Sequence, residues 1–163
     1  MRVIGIDPGI SILGYAIIDY KEDRSFEVVE YGKITTSSDM EIERRLYSIH
    51  ERLNDLLLRY KPDQAAIEDL FFNKNTKTAL TIGCVRGVVL LTFAMHKIKV
   101  FQYTPLQVKQ SLTGYGKADK KQIQEMVKII LNLKEVPKPD DVADAIAIAL
   151  CHLSFTDYRN LAR

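Results

Sequence analysis

The stretch that most constrains the fold is VIGIDPGISILGYAII, residues 3–18, in which Asp7-Pro8-Gly9 separates two apolar segments. Apolar runs of this length on either side of a Pro-Gly turn predict two buried strands, over residues 3–6 and 13–19. The first strand therefore ends on a carboxylate. Burying an unpaired ionised carboxylate costs several kcal/mol, so Asp7 needs a helix N-terminus, a basic partner, a metal ion or exposure at the end of the strand.

Further along the chain, the hydrophobic period changes repeatedly between that of strands and that of helices. Thr104 and Asp119 are each followed three residues later by glutamine, which is typical of the capping box that starts a helix. The remaining predicted elements are strands over 27–34, 64–68 and 98–104, and helices over 41–60, 78–95, 104–114, 119–131 and 140–155. The order βββαβαβααα predicts one α/β domain over residues 1–163. Its mixed five-stranded sheet begins with an antiparallel meander, continues with β-α-β units and has helices on both faces.

Composition places the chain among ordinary soluble proteins. It is 47% hydrophobic and 27% charged, and a formal charge of +2 is too small to identify a partner. Cys84 and Cys151 stand in apolar surroundings without metal-ligand spacing, which predicts buried thiols in a reducing compartment. The apolar run 79–95 is short for a membrane span and contains Arg86, so we expect a buried helix in a cytoplasmic protein with no membrane partner.

Acidic residues stand where three predicted elements would meet. Asp7 and Glu68 each end a strand, and ligands of open α/β sheets lie outside the carboxyl ends of strands. Asp141 and Asp144 are three residues apart and share one face of the last helix. Two unit charges about 5 Å apart repel by roughly 3 kcal/mol at an effective dielectric of about 20, so four converging acids require protonation or cations. Hard oxygen ligands favour Mg²⁺ or Mn²⁺, and two such ions about 4 Å apart can hydrolyse phosphodiesters.

Each acid also has a purely structural interpretation. An Asp-Pro-Gly after a strand is commonly only a turn, and Glu68 could end its strand in solvent. Asp140 and Asp141 could stabilise a helix N-terminus through the helix dipole. Asp144, inside an otherwise apolar helix, is harder to explain in this way. The four acids taken together, in this order along the chain and at these places in the predicted elements, favour a metal site.

The same segments carry a resemblance to a known family. GIDPGISILGYAII, AIEDLFFNKNTKTAL, GCVRGVV, QYTPLQVKQSLTGYGKADKKQIQEMV and DVADAIAIA together resemble the RuvC family of bacterial Holliday-junction resolvases over essentially the whole chain. The resemblance implies a ribonuclease H-like fold and a homodimer that acts in recombination and repair. Such a dimer cuts two opposed strands of a four-way DNA junction symmetrically, leaving 5′-phosphate and 3′-hydroxyl ends.

The resemblance also implies roles for particular residues and partners. The catalytic and metal-binding acids fall on Asp7, Glu68, Asp141 and Asp144, around two Mg²⁺ ions for which Mn²⁺ could substitute. RuvA and RuvB, the branch-migration proteins, are the implied partners. Asp140 is an additional acid, which we expect to cap the last helix.

Two adjacent aromatic residues follow the second acid. Phe71 matches the aromatic wedge of the family, which stacks on an unpaired base near the crossover. A purely structural interpretation places at least one of the two rings, Phe71 or Phe72, in the core. In the functional interpretation Phe72 is the core ring.

Lysines cluster in the third quarter of the chain. Lys109 and Lys120 match basic residues that the family uses near the scissile strand. Lys117 and Lys121 join them because they flank the loop 114–116 and the next helix N-terminus, where backbone amides and lysines favour phosphate. The alternative is a solvated lysine-rich face.

The apolar helix over residues 78–95 bears on assembly. A helix that is apolar nearly all round must be covered on two sides. The sheet covers one side, and either a second subunit or the C-terminal helices cover the other. A two-fold dimer would offer two acidic sites to two symmetric strands.

Three other classes of protein share parts of this pattern. An actin-like ATPase or sugar kinase needs a duplicated domain, for which 163 residues leave no room. A ribonuclease H-like nuclease of RNA processing should lack the Phe71 segment and the paired acids of the last helix. A non-catalytic junction-binding module should have lost an acid, and all four are present.

Overall fold

The computed structural model describes residues 1–69 and 76–161. Its strands are β1 Arg2–Asp7, β2 Ile12–Tyr20, β3 Phe26–Thr35, β4 Gln64–Glu68 and β5 Lys99–Tyr103. Its helices are α1 Ile42–Tyr60, α2 Thr76–Met95, α3 Pro105–Thr113, α4 Lys120–Ile130 and α5 Asp140–Leu161. The elements follow the predicted order, and both predicted capping boxes are present, at Thr104 and at Asp119. The largest difference in a boundary is at α5, which continues past the predicted end at residue 155.

The five strands form one mixed sheet in the order β3-β2-β1-β4-β5. β1, β2 and β3 are antiparallel neighbours, as the predicted meander requires. β4 runs parallel to both β1 and β5. Parallel neighbours need crossover connections, and helices α1 and α2 lie in the two connections that lead into β4 and β5. Because β1 and β4 are adjacent and run in the same direction, Asp7 and Glu68 lie at the same edge of the sheet.

Helices cover both faces of the sheet, as predicted. On one face Ile4 and Ile6 of β1 belong to a buried cluster with residues of α1 and α2. On the other face Val3 belongs to a cluster with residues of α3, α4 and α5. Alternate residues of a strand point to opposite faces, so Asp7, which follows Ile6, lies on the side of α5.

Helix α2 is covered differently from the prediction. It packs beside α1, whereas α3, α4 and α5 occupy the opposite face, so the interpretation in which the C-terminal helices cover it is wrong. Its residues Leu80, Leu91 and Met95 are 69%, 60% and 62% exposed. Cys84 is also exposed, and the prediction of a buried thiol is wrong there, while Cys151 is buried as predicted. These side chains of α2 are exposed because one apolar face of the helix contacts no other part of the described chain.

The same helix is similar to a membrane span in its length and composition. Among the described helices, the segment Thr78–Met95 has the length and composition to cross a membrane, with a mean hydropathy of 1.8. Its inner side is nevertheless part of the folded domain, because Val85, Val89 and Phe93 are fully buried in the cluster under the sheet. Arg86 also places a charge in the middle of the segment.

Candidate active site

Asp7 and Glu68 are brought together by the register of two parallel strands. Ile6 of β1 pairs with Ile67 of β4, and both belong to the cluster under α1 and α2. Asp7 and Glu68 are the next residue of each strand, so alternation directs both carboxylates to the opposite face. The two acids that end strands therefore share one end of the sheet and one of its faces.

Helix α5 reaches these strands because two glycines allow a close approach. Gly14 of β2 pairs with Asp7, and a Cβ atom at Gly14 would collide with the main-chain oxygen of Asp141. A Cβ atom at Gly5 of β1 would collide with the main chain of α5 as well. The first turns of α5 therefore lie directly on the sheet. This contact places Asp141 beside the pair formed by Asp7 and Gly14, with Asp144 one turn further along.

The charges of the four acids, Asp7, Glu68, Asp141 and Asp144, act on one another. Burial raises the pKa of Asp7 from 3.8 to about 7, and the charges of Asp144, Glu68 and Asp141 contribute in that order. Burial and the charge of Asp144 likewise raise the pKa of Glu68. Carboxylates from β1, β4 and α5 are thus close enough to disfavour one another's ionisation.

Lys120, the first residue of α4, forms ion pairs with two acids of α5. Its Nζ atom lies 3.2 Å from Oδ2 of Asp144 and 3.2 Å from Oδ2 of Asp140. Burial raises the pKa of Asp144 despite this ion pair, whereas the hydrogen bond from Lys120 lowers the pKa of Asp140. Gln124 donates to Oδ1 of Asp140 at 3.0 Å. Asp140 was expected to cap α5, but its carboxylate binds side chains of α4, because α4 begins alongside it.

The lysines predicted to bind DNA fall into two groups. A cavity of about 230 Å³ lies beside the acids, between α3, α4 and α5. Its polar lining consists of Glu68, Asp144, Lys109 and Lys120. Lys117 and Lys121 are exposed and, in the part of the chain described, do not line this cavity.

Two further predictions concern a metal and an aromatic wedge. Within residues 1–69 and 76–161, no three Asp, Glu, His or Cys side chains are already arranged to ligate one ion. The ammonium group of Lys120 forms an ion pair with Asp144. The donors are nevertheless all carboxylates, which suit hard divalent cations. Phe71 and Phe72 lie outside the described residues, so base stacking by Phe71 stays a prediction.

Two contacts of this site were not predicted. One is the bridge that Lys120 makes between Asp140 and Asp144. The other is made by Arg86 of α2, which donates to the main-chain oxygen of Glu68. A lone arginine inside an apolar helix was the sequence signal for that second contact, because a buried charge requires polar partners.

The sheet order and the helix crossing it define a ribonuclease H-like fold with an acidic site. The family described as "Crossover junction endodeoxyribonuclease RuvC" matches residues 3–152. The crossover junction endodeoxyribonuclease RuvC of Caldicellulosiruptor saccharolyticus is 56% identical over 153 residues, which cover 94% of this chain and 92% of the relative. The chain belongs to the RuvC family of crossover junction endodeoxyribonucleases.

Solved structures of a relative agree with this assignment. RuvC of Thermus thermophilus has a TM-score of 0.90 at 36% identity, covering 98% of this chain and 97% of that chain. T. thermophilus RuvC in complex with Holliday junction substrate has a TM-score of 0.89 at 34% identity, covering 97% and 96%. The predicted ribonuclease H-like fold is confirmed, and so is the resemblance to the RuvC family.

Proposed function

We propose that Asp7, Glu68, Asp141 and Asp144 are the catalytic and metal-binding acids with which this endonuclease resolves four-way DNA junctions. The observation that carries the proposal is the convergence of acids from β1, β4 and α5, in which Asp7 ends the strand beside Glu68, and Glu68 lines one cavity with Asp144. Burial and the charges of the other three acids accordingly raise the pKa of Asp7 to about 7. Bringing four carboxylates to one edge of a sheet costs stability, and packing alone does not offset that cost. Bound divalent cations would offset this cost, and the same cations would attract the phosphates of a DNA substrate.

The four acids suit divalent cations by their chemistry. Members of the RuvC family are metal-dependent nucleases in general. We assign Mg²⁺, two ions per site, with Mn²⁺ as a substitute, because carboxylate oxygens are the ligands that both ions favour. When bound, such ions lower the pKa of the attacking water and stabilise the leaving oxygen. Asp144 would exchange its ion pair with Lys120 for a cation, which leaves the ammonium group available to the substrate.

The lysines and Phe71 hold the DNA in this proposal. Lys109 and Lys120 line the cavity beside the acids and would bind the scissile phosphate, where positive charge stabilises the negative charge of the phosphoryl oxygens in the transition state. Lys117 and Lys121 are exposed beyond the cavity and would add phosphate contacts without base preference. Phe71 would stack on an unpaired base near the crossover.

Cleavage of a synthetic four-way junction tests the proposed function. Purified protein is incubated with Mg²⁺ and the junction, in parallel with a linear duplex of the same sequence. We expect paired symmetric nicks with ligatable 5′-phosphate and 3′-hydroxyl ends in the junction alone. Equal cleavage of both substrates would indicate a general nuclease, and junction binding without cleavage in Mg²⁺ or Mn²⁺ would indicate a non-catalytic module.

Gly14→Ala tests whether the approach of α5 builds the site. The added methyl group overlaps the main-chain oxygen of Asp141, and overpacking of this kind costs about 1–3 kcal/mol of stability. Moving the first turn of α5 should also slow junction cleavage by about 10–100-fold. Gly32→Ala is the matched control, because the nearest atom there is the hydroxyl of Tyr15, at the end of a side chain that can shift. Thermal unfolding and cleavage rates that match wild type for Gly14→Ala would contradict the argument.

We also propose that the protein acts as a homodimer through the exposed face of α2. Positions three or four residues apart along this face are all exposed, and they are Leu80, Cys84, Gly87, Leu91 and Met95. The small residues in the middle of this stripe allow two helices to approach closely. A two-fold axis across α2 would provide one acidic site for each of the two strands to be cut.

Cys84 offers a direct measurement of this interface. Of the two cysteines, Cys84 is exposed on the stripe and Cys151 is buried. A bismaleimide should therefore join two protomers through Cys84, and Cys84→Ser should remove the crosslink. Leu91→Arg should yield a monomer in sedimentation experiments and uncouple the two nicks. A wild-type protein that stays monomeric on the junction would contradict the dimer.

The family resemblance also supports RuvA and RuvB as partners and the cytoplasm as the compartment. These assignments rest on the resemblance and not on a surface of this structure. Binding of the purified protein to junctions preloaded with RuvA and RuvB is the measurement that tests the partnership.

A further inference from the structure

Arg86 is the single charged residue in the apolar segment Thr78–Met95 of α2. Its side chain is only 12% exposed. A guanidinium group in such surroundings is costly unless its donors are used, so the partners of Arg86 indicate what the residue is for.

The guanidinium group of Arg86 is shared among three acceptors from the ends of two strands. Its Nη1 atom donates to the main-chain oxygen of Glu68, the last residue of β4. Its Nη2 atom donates to Oε1 of Gln102 in β5 at 2.7 Å and lies 3.5 Å from Oδ1 of Asp69. Three elements, α2, β4 and β5, therefore meet at one arginine.

These contacts fix the peptide group that carries Glu68. A hydrogen bond from the amide of Asp69 to the main-chain oxygen of Tyr103 at 2.7 Å holds the following residue. Arg86 and β5 together hold the end of β4 through hydrogen bonds to the main-chain oxygen of Glu68 and from the amide of Asp69. These bonds fix the backbone of Glu68 and therefore the point from which its side chain extends into the cavity that it lines with Asp144.

We propose that Arg86 is a positioning residue that holds the carboxylate of Glu68 in the acidic site and links its placement to α2. The inference rests on the proposed function, because it gives Arg86 a role only if Glu68 is one of the metal-binding acids. Arg86 does not touch the substrate in this account. It acts through the backbone of Glu68, from a helix whose opposite face is the proposed dimer contact.

Two variants test the contact from both sides. Arg86→Lys keeps the charge, but a single Nζ atom cannot donate to Glu68 and Gln102 in the same geometry. Gln102→Met removes the 2.7 Å acceptor from an exposed position, so that variant should fold normally. Val89→Ala is the matched control, because it weakens the packing of α2 one turn away without contacting Glu68.

The decisive readout is the dependence of single-turnover junction cleavage on Mg²⁺ concentration. We expect Arg86→Lys to lower the cleavage rate at limiting Mg²⁺ by about 10–100-fold, since residues that orient metal ligands typically have effects of this size. Gln102→Met should have a smaller effect in the same direction. Both variants should bind the junction with wild-type affinity, need more Mg²⁺ for half-maximal cleavage, and recover rate when Mg²⁺ is raised.

Each outcome separates this inference from the proposed function. Val89→Ala should lower the melting temperature and leave the Mg²⁺ requirement unchanged. Wild-type Mg²⁺ dependence for both Arg86→Lys and Gln102→Met, or an equal shift for Val89→Ala, would overturn the positioning role. Full activity of Glu68→Gln, measured in the same series, would instead overturn the proposed function of the acids.

Discussion

We expect Asp7→Asn to abolish junction cleavage while leaving junction binding intact. Asp7 is the most central of the four acids, since the charges of the other three all raise its pKa. Losing about 4 kcal/mol of charge stabilisation in the transition state corresponds to a rate about 10³-fold lower. Asparagine has nearly the same shape and offers only one neutral oxygen as a ligand. Single-turnover cleavage at saturating enzyme measures the loss, and a gel-shift assay without metal measures binding.

Asp140→Asn is the matched control for this experiment. Asp140 belongs to the same acidic surface, but it is exposed and its pKa is lowered, chiefly by the hydrogen bond from Lys120. We expect this variant to cleave at close to the wild-type rate. If Asp140→Asn lowered the cleavage rate as much as Asp7→Asn, the catalytic site would include Asp140 and lie nearer to α4. Cleavage by Asp7→Asn at an undiminished rate would contradict the assignment of the acids.

Local sequence patterns predicted most elements of this fold because the relevant forces act over a few residues. The capping boxes at Thr104 and Asp119 are satisfied by glutamines three residues away, and both are formed. The separation between Asp141 and Asp144 places them on one helical face wherever the helix packs. Asp7 and Glu68 could be assigned to strand ends for the same reason, although their adjacency depends on the sheet order.

Features that depend on tertiary or quaternary contacts were not predicted from pattern. The collision that Gly14 avoids with Asp141 joins β2 and α5, which are far apart in sequence. The ion pair between Lys120 and Asp140 likewise depends on tertiary structure, because it requires the start of α4 to pack beside the start of α5. The exposed face of α2 has a different cause. Its apolar side chains, including Leu91, indicate burial in sequence, but no part of the described chain covers them.

Removing the charge of Asp7 should also stabilise the metal-free protein at neutral and alkaline pH. The folded-state pKa of Asp7, about 7, lies above its ordinary value of 3.8. Between these pH values the folded protein retains a proton that the unfolded chain releases, so stability falls as the pH rises through that window. The loss is complete above about pH 7, where it amounts to about 2–4 kcal/mol. Asp7→Asn has no carboxyl group at this position, so this part of the pH-dependent loss of stability should be absent from the variant.

Thermal unfolding in EDTA at a series of pH values measures the effect as a difference between two proteins. At pH 8 we expect Asp7→Asn to melt about 5–10 °C above wild type, and near pH 4 the two should melt together. Burial raises the pKa of Glu68 and Asp144 as well, so both proteins retain a residual slope of the same sign. The difference curve therefore reports the charge of Asp7 together with its coupling to the neighbouring acids. Mg²⁺ should raise the melting temperature of wild type more than that of the variant, because a bound cation favours the ionised carboxylate. A difference between the two proteins that does not vary with pH would mean that Asp7 is not held among the other acids, and the cation site would then lose its physical basis.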